Sequence, residues 1–158
     1  MLSRVANNLF WMDRYMERSY GLLNLIKTNY NSTLDSGDYS SWNKIMFTYL
    51  AIRSENEYKN HQDSISTIFF ILFDKKNPNT LFNMVVKARE NARKSRVSLT
   101  KDVWESINSF WLFLNDLELD LDINFKLFNI SFIQNTRDFG IVLSKIKKLD
   151  IDFSLLIF

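Results

Sequence analysis

The stretch LSRVANNLFWMDRYMERSYGLLNLI (residues 2–26) decides the fold. Within this stretch, a set of residues that are apolar with one exception recurs alternately three and four positions apart, which is the spacing of the buried face of an α-helix. This seam consists of Leu2, Val5, Leu9, Met12, Met16, Ser19, Leu23 and Ile26. The pattern predicts a helix from about residue 3 to about residue 34, because the sequence that follows, Asp35-Ser36-Gly37-Asp38, is typical of a turn.

Helical signals continue beyond this turn. Ser40 or Ser41 can cap a second helix. Residues 65–73 are rich in β-branched and aromatic side chains, but no other segment resembles a strand that could pair with them, so we predict a third helix. Pro78 suits the first turn of a fourth helix, and Thr100 can cap a fifth. We also predict a last helix at about residues 125–148 and a polar connection at residues 53–60.

The composition agrees with a helical fold. The chain has 3 glycines and 1 proline, whereas average usage would supply about 11 and about 8 at this length. So few chain breakers argue against a β-sandwich or barrel and against a glycine-rich phosphate loop. We therefore predict an all-α bundle of about five or six mostly antiparallel helices. Because no proline- or glycine-rich linker divides the chain, residues 1–158 are predicted to form a single domain.

Several classes of function are excluded by the residues that are missing. The chain has no cysteine, which removes thiolate metal sites and cysteine nucleophiles. Its only histidine, His61, cannot supply the paired Glu-x-x-His motifs of a di-iron bundle. We therefore expect no metal and no cofactor. The longest apolar run, residues 68–73, is too short to cross a bilayer, and the first residues lack the unbroken apolar run of a signal peptide, so we expect no membrane span and a cytoplasmic location.

One stripe of the first helix combines arginine with tryptophan. Arg4, Trp11 and Arg18 recur every seven residues beside the seam, a spacing that favours cation–π contacts worth about 0.5–1 kcal/mol where they are exposed. Glu17 can form an ion pair with Arg14, three residues earlier. The alternative interpretation is a solvated helix face with weak local ion pairs.

A second, basic cluster lies at residues 87–101. It comprises Lys87, Arg89, Arg93, Lys94, Arg96 and Lys101, with Glu90 as its one acidic residue, which gives a local charge of +5 (6 − 1). Arg89, Arg93 and Arg96 recur at i, i+4 and i+7, which predicts one stripe on a helix. The small residues Ala88 and Ala92 allow a neighbouring helix to approach, and arginines at this density suit forked recognition of carboxylate or phosphate. The alternative is a polar network inside the bundle, in which Glu17 or the acidic residues at 116–122 neutralise the arginines.

Nucleic-acid binding through Lys87–Lys101 is a further alternative, because Trp104 follows the arginines closely. Contact with a phosphate backbone normally requires a strongly basic surface. The net charge of the chain is only +2, so nucleic acid is not the partner that we expect.

Two blocks of the sequence together point to a family. The first block is MLSRVANNLFWMDRYMER, residues 1–18, which ends in the pair Glu17-Arg18. The second block consists of Asn77-Pro78-Asn79-Thr80-Leu81, then Ala88-Arg89-Glu90-Asn91-Ala92-Arg93, and then Trp104 and Asn108. In this order the blocks resemble the Alpha-E family, a bacterial all-helical family whose Glu-Arg motif corresponds to Glu17-Arg18. The resemblance covers residues 1 to about 115.

The resemblance implies both a site and a type of partner. The site residues that carry over, for anion or partner binding or for a structural polar network, are Arg4, Trp11, Arg14, Glu17, Arg18, Arg89, Glu90, Asn91 and Arg93. The implied partner is an ATP-grasp-type or transglutaminase-like protein of peptide ligation or modification in the bacterial cytoplasm. We expect a non-catalytic accessory domain in which the two blocks converge on one polar site. The alternative is a catalytic component of amide-bond formation or hydrolysis that uses Glu17 as acid or base.

The later part of the chain departs from the family pattern. Typical members are longer and carry a second block, in which a glycine is followed by another Glu-Arg pair. Gly140 stands where such a block would begin, but no second Glu-Arg pair follows it. We therefore expect a truncated member with a divergent segment at residues 124–158.

Overall fold

The computed structural model describes residues 2–38, 40–53 and 64–127, with all side chains in these ranges except those of residues 34, 64–66 and 117–127. The described residues form five α-helices and one short 3-10 helix, and they contain no strand. The α-helices are α1 (Leu2–Ser36), α2 (Ser40–Leu50), α3 (Ser64–Phe73), α4 (Leu81–Lys94) and α5 (Lys101–Leu127), and the 3-10 helix is Arg96–Ser98. The predicted all-α class and number of helices are confirmed, and the antiparallel order stays a prediction.

The chain divides into two compact units. One unit combines Met1–Arg14 with the described residues of Val85–Phe158, and the other is Tyr15–Met84. Each unit has its own buried apolar side chains. They include Val85, Val103, Ile107, Phe110 and Leu114 in the first unit, and Leu22, Ile26, Trp42, Met46, Ile68 and Leu81 in the second. The assignment of residues 1–158 to a single domain stays a prediction.

The seam of α1 is partly as predicted. Met12, Met16, Ser19 and Ile26 are buried, but Leu2 is 89% exposed and Leu23 is only half-buried. Leu22 takes the place that we predicted for Leu23, since its side chain is fully buried. The reason is the position of α2 within this unit. Arg18, four residues before Leu22 and on the same face of α1, donates to the carbonyl of Tyr49, and the hydroxyl of Tyr49 comes within 2.9 Å of the point where a Cβ on Gly21 would lie. Tyr49 of α2 therefore lies against the side of α1 to which Leu22 belongs.

Polar contacts fix the turn between α1 and α2. Gly37 has a φ of 69° and donates its N–H to the carbonyl of Thr33 at 2.9 Å, which ends α1. Asp38 then accepts hydrogen bonds from Ser40, one from the backbone N–H at 2.8 Å and one from the hydroxyl at 2.9 Å. Inside the turn, the buried indole N–H of Trp42 donates to the hydroxyl of Thr33 at 3.0 Å. The second helix begins at Ser40, where the sequence places its start, but the hydroxyl of Ser40 donates to Asp38, and a cap at Ser40 or Ser41 stays a prediction.

The fourth helix begins later than its proline predicts. Pro78 lies in a turn, and α4 begins at Leu81. The side-chain oxygen of Asn77 accepts the N–H of Asn79 at 2.9 Å, which closes a side-chain-mediated turn around Pro78. The amide of Asn77 also donates to the carbonyl of Leu50 at 2.9 Å, so the end of α2 and the start of α4 are tied together within one unit.

The last described helix is longer than predicted. Thr100 accepts the N–H of Val103 at 3.4 Å, as expected of a cap. From there α5 runs without interruption to Leu127, so Phe125 lies within α5 and does not start a new helix. No glycine or proline occurs between residues 101 and 127 to end the helix earlier. The rest of the helix predicted at 125–148, and the connection at 54–60 with His61, lie outside the described residues.

Candidate functional site

The predicted site residues of α1 are distributed over both units. Arg4, Trp11 and Arg14 belong to the first unit, whereas Glu17 and Arg18 belong to the second. All five are exposed on α1. The predicted meeting of Glu17 with Arg89 therefore concerns residues of different units, and it stays a prediction.

Two of these residues have structural contacts within their own units. The ring of Trp11, which is 45% exposed, packs edge-on against the ring of Phe10 at a centroid distance of 5.4 Å. Arg18 donates from Nη2 to the backbone carbonyl of Tyr49 at 3.4 Å. This carbonyl lies in the last turn of α2, where carbonyl groups lack helical partners and attract cations. Arg18 thus stabilises the end of α2.

The second cluster centres on Arg89, near the middle of α4. Its Nε donates to the side-chain oxygen of Asn108 on α5 at 2.9 Å, and its Cζ lies 4.1 Å from the ring centroid of Trp111. Ala88 and Ala92 on α4 are fully buried, in agreement with the expectation that small residues admit a neighbouring helix. The side chain of Arg89 keeps an exposed fraction of 24%. Its guanidinium is therefore oriented by α5 and still accessible to solvent.

Two tryptophans of α5 flank the arginines. Trp104, Asn108 and Trp111 follow one another four and three residues apart, so they share one face of the helix. Arg96 places its Cζ 5.0 Å from the centroid of Trp104, and Arg89 lies 5.8 Å from the same ring. Both distances are within the range of cation–π attraction. The α4 helix ends before Arg96, so this arginine is supplied by the 3-10 helix rather than by the regular stripe that its spacing predicts.

Glu90 is the carboxylate that the described structure places among these arginines. Its Oε2 accepts from Nη2 of Arg93 at 2.8 Å and from Nε of Arg93 at 3.2 Å. Its Oε1 lies 3.9 Å from Nη1 of Arg89. In the described residues, Arg89 donates a hydrogen bond only through Nε, to Asn108. The two terminal amino groups of Arg89 therefore retain donors for an external acceptor.

Asn91 does not contribute to this cluster. Its side-chain amide donates to the carbonyl of Lys87 at 2.8 Å, which is a contact along its own helix. The acidic residues at 116–122, predicted as one source of neutralising charge, lie outside the described side chains except for Asp116. Asp116 is exposed.

The described residues also bear on metal binding and membrane crossing. They contain no group of three or more histidine, aspartate or glutamate side chains that could hold a metal ion. None of the described helices combines the length and the apolar character needed to span a bilayer.

Sequence reasoning missed the partners of Arg89 on α5. The sequence indicates Asn108 only through the family resemblance, and it gives Trp111 no role beside Arg89. The signal that could have identified them is the i, i+4, i+7 spacing of Trp104, Asn108 and Trp111, which matches the arginine stripe of α4. Neither the spacing on α4 nor the spacing on α5 shows by itself that these two faces meet.

Comparison with known proteins identifies a family. The model of a family described as "a predicted alpha-helical domain with a conserved ER motif" matches residues 1–143. No curated protein and no solved structure matches the chain. The matched range includes both arginine-containing blocks, and it extends beyond the residues on which the resemblance was based.

Proposed function

The chain belongs to the Alpha-E family, and from that premise we propose that it is a non-catalytic accessory domain that binds a partner protein through Arg89 and its neighbours. The partner that we propose is an ATP-grasp-type or transglutaminase-like protein of peptide ligation or modification, in the bacterial cytoplasm. The exposed α1 residues Arg4, Trp11, Arg14 and Glu17 are proposed as further contacts for this partner.

The observation that carries this proposal is the arrangement of Arg89. A guanidinium that is held through Nε and stacked on an indole is already oriented, so less conformational entropy is lost when it binds. Its terminal amino groups can donate to two oxygens of one anion, either both oxygens of a carboxylate or two of the oxygens of a phosphate. Partial burial beside Trp111 strengthens such a bond, because the local dielectric constant is lower than in water.

The charge around Arg89 supports attraction of an acidic partner. Residues 87–101 carry a local charge of +5, while the whole chain carries +2. The other residues together carry −3 (2 − 5). A basic patch on such a chain directs an acidic surface to one place and raises the rate of association. The charge distribution therefore favours a partner with an acidic surface.

The test is a binding measurement between the full chain and an ATP-grasp-type protein of the proposed class, by titration calorimetry. We expect Arg89→Lys to weaken binding by about tenfold, because lysine keeps the charge but cannot form the fork or the bond to Asn108. Glu17→Ala should also reduce affinity more than it reduces the thermal midpoint. Arg53→Lys is the control, since it makes the same change at an exposed arginine outside residues 87–101.

Equal effects of Arg89→Lys and Arg53→Lys on binding would contradict the proposal. So would a loss of thermal stability in Arg89→Lys with no change in affinity, because a purely structural network predicts that result.

Nucleic-acid binding through residues 87–101 is the second candidate, and Trp104 is the observation that bears on it. Single-stranded nucleic acids stack their bases on open aromatic rings. Arg96 and Arg89 already lie 5.0 Å and 5.8 Å from the centroid of the Trp104 ring, which disfavours its use for stacking. Retention on a heparin column that decreases steeply with salt would favour this candidate, and absent or salt-independent retention would count against it.

A further inference from the structure

Arg89 presents its donors in one direction. Because Nε is bonded to Asn108 and one face of the guanidinium lies on Trp111, the groups left for a ligand are the two terminal amino groups. Two parallel N–H donors in one plane match the two oxygens of a carboxylate, which also lie in one plane. A tetrahedral phosphate has more oxygens to satisfy than this single fork can serve.

Arg93, the next arginine of α4, does not supply the missing donors. It directs Nε and Nη2 to Glu90, at 3.2 Å and 2.8 Å. A ligand at Arg89 therefore does not also receive these two donors, which a phosphate would need beyond the fork of Arg89.

Glu90 makes the affinity of this site depend on the charge of the ligand. Its Oε1 lies 3.9 Å from Nη1 of Arg89, so an anion bound to the terminal amino groups has a carboxylate as neighbour. Like charges at short range repel, and the repulsion grows in proportion to the charge of the ligand. A doubly charged anion is therefore penalised more than a singly charged one.

We propose that the site at Arg89 is a receptor for one singly charged peptide carboxylate, and that Glu90 discriminates against phosphate. This inference rests on the proposed function. The carboxylate can be a chain terminus or an acidic side chain, because both offer the same two oxygens. Arg89 binds the ligand, while Asn108 and Trp111 act as positioning residues.

The experiment is a titration of the full chain with small anions, followed through the side-chain Nε–H signal of Arg89 in a two-dimensional 1H–15N NMR spectrum. The probes are N-acetylglycine (a terminal carboxylate), N-acetylglutamate α-amide (a side-chain carboxylate) and inorganic phosphate, all at constant ionic strength. Arg89→Lys assigns the signal by removing it. We expect a saturable shift with at least one carboxylate and at least about tenfold weaker binding of phosphate.

Two variants test the roles of the neighbours. Glu90→Gln keeps the shape of the side chain and removes its charge, so we expect the affinity for phosphate relative to N-acetylglycine to rise by about fivefold or more. Asn108→Asp keeps the acceptor of the Arg89 Nε–H and adds a charge, so it should abolish carboxylate binding while the chain stays folded. Its thermal midpoint verifies the fold.

The outcomes separate this inference from the proposed function. Phosphate binding as tight as carboxylate binding, an unchanged ratio in Glu90→Gln, or no shift with either carboxylate overturns the inference. If the partner protein still binds and Arg89→Lys still weakens it, the proposed function stands without the carboxylate site. If N-acetylglycine binds as expected but the partner does not, the accessory role fails and the carboxylate site stands.

Discussion

At the scale of single residues, the buried bond between Trp42 and Thr33 is the most informative polar contact outside the candidate site. Both side chains are buried, at 2% and 6% exposure, and the indole N–H donates to the threonine hydroxyl at 3.0 Å. Thr33→Val has nearly the same shape but leaves this donor without its acceptor. We expect the free energy of unfolding to decrease by about 1–3 kcal/mol. Urea denaturation measures the change, with the exposed Thr48→Val as control, and equal effects of the two variants would contradict it.

Asp38 makes a prediction about pH at the same scale. The hydrogen bonds donated by the Ser40 backbone N–H and hydroxyl lower the pKa of Asp38 below its ordinary value of 3.8. A carboxyl whose pKa is lower in the folded state stabilises the fold above its unfolded pKa, and this contribution is lost as the pH falls through the folded pKa. Between about pH 5 and about pH 2, the thermal midpoint should therefore fall more steeply in the wild type than in Asp38→Asn. Parallel pH profiles of the thermal midpoint would show that the bonds between Asp38 and Ser40 do not stabilise the fold.

At the scale of secondary-structure elements, two helix ends offer a matched pair of backbone tests. Gly37, after α1, has a φ of 69°, and Ala51, after α2, has a φ of 58°. Nothing lies within 4 Å of a Cβ added at Gly37, so Gly37→Ala tests the backbone alone and should cost about 1 kcal/mol. Ala51→Gly removes the same strain and should stabilise the chain by up to about 1 kcal/mol. Chemical denaturation of both variants checks the two signs, and two changes of the same sign would contradict this account.

The elements were largely predictable because their signals are local. Apolar spacing, Ser40, Thr100 and the absence of glycine and proline from residues 101–127 depend only on nearby sequence. The errors have a tertiary cause or depend on a competing turn. Leu22 is buried in place of Leu23 because α2 covers that side of α1, and Pro78 is held in a turn by the side chain of Asn77. Neither effect can be read from periodicity.

At the scale of the whole molecule, the distribution of charge predicts how partner binding responds to salt. A chain of net charge +2 that concentrates +5 at residues 87–101 should attract its partner mainly through that patch. Raising NaCl from about 50 mM to about 500 mM should weaken binding of the ATP-grasp-type protein by about tenfold or more, chiefly by slowing association. Surface plasmon resonance separates the two rates. An association rate that does not depend on salt would argue against an electrostatic role for the patch.

The candidate site was less predictable than the helices. The arginine spacing on α4 and the family resemblance identify Arg89, Glu90 and Arg93, but they do not identify Asn108 or Trp111 as partners. That assignment requires knowing which faces of α4 and α5 meet, and this depends on packing over many residues. The residues of α1 illustrate the same limit, because Arg18 has a structural contact with Tyr49 that no local pattern indicates.

The tryptophans beside Arg89 also equip the chain with an optical reporter. Two of its 4 tryptophans, Trp104 and Trp111, have ring centroids 5.8 Å and 4.1 Å from the same guanidinium carbon. A ligand that pulls this cation away from the rings, or holds it there, alters the field in which both indoles emit. Intrinsic fluorescence of the purified chain can then screen libraries of non-fluorescent compounds without a label, and Arg89→Lys identifies the signals that arise elsewhere.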